Sequence, residues 1–169
     1  VELDIKSCHA TMAFAHVGID WYAQSNQDLY SRLEEGGWPR DVVKQAFNIM
    51  MNAPRRSSAI FALNDQQRRT GFLFDNGMTP FKGWSSDLVS SIKDAYPELE
   101  DVFYAGLGNH FMNKEGNICM AIADWAVREY IPVLTIHDSY LCPAKYGQNL
   151  EKAVRLCFHD LIGANCVLR

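Results

Sequence analysis

Val1 to Ile5 alternates apolar and acidic side chains, the period-two pattern of a half-buried strand, with Asp4 near its end. Cys8 to Val17 is apolar at short range and predicts a helix, after which the chain turns polar around Gln24 to Gln27. The stretch PRDVVKQAFNIMMNAP is the clearest helix: Pro39 suits the first helical position, Val43, Phe47 and Met50 form an apolar face, and Pro54 ends the pattern. Ser and Arg residues lead into Ala59 to Leu63, and residues 64–82 mix Gly, Asp and Asn with aromatics, predicting loops with short elements. A helix over SDLVSSIKDAYPEL is apolar at Leu88, Ile92 and Tyr96, and another runs from about Lys114 to Glu129 with Ile118, Ile122 and Trp125 on one stripe. Pro132 opens a second strand, which runs into His137-Asp138, and a last helix from about Gln148 to Ile162 carries Leu150, Val154, Cys157 and Leu161 on one side. Strand, helices, strand and helix in that order predict an α+β domain rather than a doubly wound sheet.

A chain of 169 residues, 48% of them hydrophobic, is long enough to bury a core as one domain. Its five cysteines follow no C-x-x-C or zinc-type spacing, so reduced thiols in a cytosol-like compartment are expected, without a structural metal. The longest apolar runs fall far short of the roughly 20 residues of a membrane span, so no membrane partner is expected. A net charge of −4 counts against non-specific coating of nucleic acid, yet Arg40, Lys44, Arg55, Arg56, Arg68 and Arg69 face only Asp41 and Asp65 between residues 40 and 69. That run is either a solvated face or a local basic groove.

Two aspartates draw attention because each closes a short strand. If the strands are neighbours, Asp4 and Asp138 converge at one sheet edge, where like charges repel unless a cation such as Mg²⁺ sits between them. Two such ions roughly 3.5–4 Å apart are the usual apparatus for in-line phosphoryl or nucleotidyl transfer. Arg40, Lys44 and Asn48 follow at i, i+4 and i+8 on one helix face, suited to gripping phosphates.

LDIKSCHATM, RDVVKQAFNIMMNA and IHDSYL come in the order and approximate spacing of motifs A, B and C of family A DNA polymerases and the related single-subunit phage RNA polymerases, which the chain resembles. Asp4 is similar to the motif A aspartate, Arg40 and Lys44 to the Arg-x-x-x-Lys of motif B, and His137-Asp138 to motif C, whose HDS form is close to the RNA polymerase branch. NQDLY, with Asp28, resembles a further stretch between motifs A and B. The resemblance implies a small antiparallel palm sheet with surrounding helices and a reduced fingers insertion at about residues 36–84. It implies two Mg²⁺ (or Mn²⁺) ions on Asp4 and Asp138, triphosphate contacts from Arg40 and Lys44, and His137 orienting the primer end or backbone. Template, primer and nucleoside triphosphates are the implied partners, in the cytoplasm or, for a phage-encoded chain, in that of the host.

The chain also departs from the family pattern. Asn48 stands where the family has a nucleotide-stacking aromatic, with Phe47 one step earlier, and His9 stands where the DNA polymerases have a ribose-excluding glutamate, so both bear on nucleotide binding. Asn52 and Ala53 replace a Tyr and Gly that close motif B, and Lys6 stands beside the carboxylates. Val1 opens the chain inside a strand, so it reads as a piece of something longer, with N-terminal segments or a partner subunit supplying a thumb. Two other functions remain open on these residues: a non-catalytic relative binding nucleic acid or a protein partner through Arg55, Arg56, Arg68 and Arg69, and a metal-dependent nuclease.

Overall fold

The computed structural model describes all residues from Val1 to Arg169. In chain order the elements begin β1 (Glu2–Asp4), α1 (Cys8–His16), α2 (Trp21–Gln24), α3 (Arg40–Asn52), α4 (Arg56–Thr70) and α5 (Phe72–Asp75). They continue with α6 (Trp84–Ala95), α7 (Gly108–Arg128), β2 (Leu134–Ile136), β3 (Ser139–Leu141) and α8 (Gly147–Ile162). The class is α+β, mostly helical with one small antiparallel sheet. The chain divides into two compact units, one of residues 1–26 and 110–169 and one of residues 27–109, the latter wider than the insertion expected at 36–84. No helix is long and apolar enough to cross a membrane.

The first unit holds the sheet, in the order β1-β3-β2 with both pairings antiparallel. Register places Leu3, Tyr140 and Thr135 in one row, and Tyr140 is fully buried. Phe111, Ile118, Ile122 and Ala126 of α7 are buried at helical spacing, as are Met12 and Phe14 of α1. The buried stripe of α8 is Leu150, Val154, Phe158 and Ile162, rotated from the expected one: Leu161 is exposed and Cys157 only half-buried. Helix α7 starts six residues before Lys114, because Phe111 extends its apolar stripe through a turn whose Gly and Asn residues hide it.

The second unit packs α3, α4 and α6 around Phe47, whose ring meets Tyr30, Tyr96 and Phe103 edge-on at 5.6, 5.4 and 5.1 Å. Pro39 is the cap of α3 rather than its first residue, and Ala53 turns extended ahead of Pro54. The expectation of loops over residues 64–82 is corrected: α4 continues to Thr70 and α5 follows across Gly71, whose φ of 70° suits glycine. The buried stripe of α4 is only Ala59, Leu63 and Gln67. A glutamine in the third position conceals the period, and its Oε1 accepts the Leu73 amide at 2.8 Å. Arg32 clamps this unit through a two-pronged pair with Glu98 at 3.0 Å and a 2.7 Å bond to the Ala95 carbonyl.

Candidate functional site

Asp4 closes β1 opposite Ser139, and Asp138 stands one residue beyond that partner, in the turn that leads into β3, so the two aspartates are diagonal neighbours. The Ile5 amide donates to the Asp138 carbonyl at 2.9 Å, locking the register. Burial raises the Asp138 carboxyl above the usual range, and the charges of Asp4 and then Glu115 push it further. The strand expected to end at His137-Asp138 instead turns there: these two residues form the loop of the β2-β3 hairpin, and the chain continues as a further strand, β3. A two-residue hairpin loop asks for positive φ at its first position, and His137 supplies it at 53° without being Gly, Asn or Asp. Ser7, directly after the β1 region, is also left-handed, at 55°. Backbone of this kind costs on the order of 1 kcal/mol per residue and concentrates at functional sites.

Helix α7 holds this turn with two residues one helical turn apart. Cys119 donates its thiol to the His137 carbonyl at 3.0 Å, and Glu115 presents Oε1 to His137 Nδ1 at 3.7 Å. The other Glu115 oxygen meets His9 Nε2 at 2.7 Å, joining α1, α7 and the hairpin. The motif spacing did not reveal Glu115. Its signal was an acid on the buried stripe that Phe111, Ile118 and Ile122 define, where an unpaired charge is costly. Burial raises the Cys8 and Cys119 thiols, which suits packing rather than nucleophilic attack.

No group of three or more His, Cys, Asp or Glu side chains is placed to hold a metal ion by itself. Mg²⁺ commonly takes only one or two carboxylates, with water and substrate phosphates completing its shell. The crowded, partly desolvated charge of Asp138 beside Asp4 fits such an ion, which would relieve the repulsion. Asp4 already has a cationic neighbour, Arg169, whose Nε donates to Oδ2 at 2.5 Å.

Arg40 of α3 is engaged: it pairs with Asp28 at 3.0 Å and Asp41 at 3.2 Å and lies over the Tyr30 ring. Asp28 is thereby the anchor of Arg40. Lys44 is half-buried. Asn48, half-buried one turn further along the same face, has a buried Oδ1 with no hydrogen-bond partner. Phe47 is fully buried and cannot take over the stacking role of the missing aromatic.

Of the four arginines expected to contact nucleic acid, all are exposed. Arg68 and Arg69 share the Asp65 carboxylate, which offsets part of the positive charge of this face, while Arg56 bonds the hydroxyls of Ser86 and Ser90 at 2.8 and 3.0 Å. Phe61 stands 71% exposed on the same helix, α4. No protein-family model, no curated protein and no solved structure matches this chain.

Proposed function

We propose that the chain is a polymerase-like catalytic module that joins nucleotides by a two-metal mechanism. The observation that carries the reading is that Asp4, closing β1, and Asp138, in the hairpin turn that opens β3 more than a hundred residues later, stand at diagonally neighbouring positions. In this reading Asp4 and Asp138 hold Mg²⁺, which supplies Lewis acidity to the phosphoryl centre when bound. The primer 3′-oxygen bonds to the α-phosphorus of a nucleoside triphosphate while the α–β bridging bond breaks and pyrophosphate departs. Triphosphate contact by Lys44 is what the motif B resemblance implies. His137 orients the strand end from its strained turn, and His9, fixed by Glu115, faces the sugar. Arg40, paired with Asp28 and Asp41, is already engaged and does not bind phosphate in this reading.

Primer extension on a defined template tests this, with rNTPs and dNTPs supplied separately and Asp138→Ala in parallel. Incorporation by the parent and none by the variant is the expected result, and the preferred sugar reports on His9. Nucleic-acid binding that persists without either aspartate, with no incorporation, would overturn it in favour of a non-catalytic relative. The Arg169 contact on Asp4 and the exposed Phe61 on the arginine-bearing helix α4 favour that second reading, since an exposed aromatic on a basic helix suits base stacking. Salt-sensitive binding lost on replacing Arg55, Arg56, Arg68 and Arg69 would identify it.

A further inference from the structure

We infer that Arg169 sets the divalent-cation affinity of the Asp4–Asp138 pair by occupying Asp4 as an internal counter-ion, an inference that rests on the two-carboxylate reading above. The placement of this guanidinium is built into the strand pairing. The Asp4 amide donates to the Arg169 carbonyl at 3.0 Å and the Arg169 amide returns a bond to the Asp4 carbonyl at 3.1 Å. Ile5 bridges Leu168 and the Lys6 amide donates to the Val167 carbonyl at 2.9 Å, so residues 167–169 run antiparallel along the edge of β1 that β3 leaves free. Arg169 therefore stands directly opposite Asp4, and its side chain reaches the carboxylate without bending the backbone.

An arginine is always charged, so it neutralises Asp4 at every pH at which the carboxylate is ionised. A divalent ion taking the same oxygen must displace it, because two cations on one carboxylate oxygen repel. The Arg169 side chain is 63% exposed while that of Asp4 is 21% exposed. The guanidinium can therefore swing into water and leave its main-chain bonds intact, which makes the exchange reversible. Asp138 faces the carboxylates of Asp4 and Glu115 and the imidazole of His9. The pair is thus asymmetric: Asp4 carries a paired guanidinium, whereas Asp138 has only the neighbouring imidazole of His9 against two carboxylates.

Mn²⁺ binding tests this directly, with free Mn²⁺ followed by electron paramagnetic resonance in the full chain. Arg169→Gln is expected to bind Mn²⁺ about two- to fivefold more tightly than the parent, the scale of an exposed ion pair removed from competition. Arg169→Lys, which keeps the charge, should stay near the parent value, and Asp138→Asn should lose affinity. The main-chain bonds to β1 are common to all variants, and circular dichroism verifies that each is folded. Equal or weaker Mn²⁺ binding by Arg169→Gln would overturn the inference and leave the two-carboxylate reading standing. Absence of binding in the parent and in Arg169→Gln alike would remove both.

Discussion

Phe47→Ala separates the core of the second unit from its candidate chemistry. The Phe47 side chain is fully buried and touches three aromatic rings edge-on. Truncating a buried Phe to Ala typically costs about 3–5 kcal/mol. Each aromatic pair adds roughly 0.5–1.5 kcal/mol beyond its area, which places this site in the upper half, about 4–5 kcal/mol. In a chain of this size each kcal/mol moves the midpoint by about 2–4 °C, so a fall of about 8–20 °C is expected. Urea unfolding followed by tryptophan fluorescence is the assay, because Trp38 and Trp84 are buried in the same unit and report on it. A loss below about 1 kcal/mol would refute the packing described here. So would a variant of unchanged stability with weakened nucleotide affinity, since that result would place the ring within reach of ligand.

Lys44→Ala should change stability by less than about 0.5 kcal/mol while weakening triphosphate binding about tenfold or more, as loss of a charged hydrogen bond does; unchanged affinity in equilibrium dialysis would remove Lys44 from the site. Asp138→Asn should raise the thermal midpoint near neutral pH. The folded carboxyl titrates above its ordinary range because of burial and the nearby charges, so its ionised form opposes folding there, and a lower midpoint would contradict that. The Arg32 fork holds the Glu98 carboxyl below its ordinary range. Its stabilisation is therefore complete above the ordinary carboxylate range and is lost as pH falls through the lowered folded value. Arg32→Gln should flatten that acid-side loss in a pH series of melting curves, and parallel curves for the two proteins would count against it.

Periodicity made the buried faces of α3 and α6 readable, since Val43, Phe47, Met50, Leu88, Ile92 and Tyr96 recur at helical spacing. It failed at α4, where Gln67 sits on the stripe, and at α8, where Cys157 and Leu161 compete with Phe158 and Ile162 for the apolar face. The hairpin is not legible in the sequence because its loop is histidine and aspartate rather than the Asn-Gly or Asp-Gly that positive φ favours.

The linear order of residues decided which carboxylates, cations and apolar stripes the molecule has, because side-chain chemistry and local period are properties of short segments. Only the three-dimensional arrangement decided their partners. Pairing of β1 with β3 made neighbours of Asp4 and Asp138, register along the other edge of β1 set Arg169 on Asp4, and the packing of α7 brought Glu115 to His9 and His137. Arg40 shows the same division: its spacing from Lys44 is local, yet its anchor Asp28 lies outside the helix. Electrostatic partnership depends on distance through space, which no local pattern encodes.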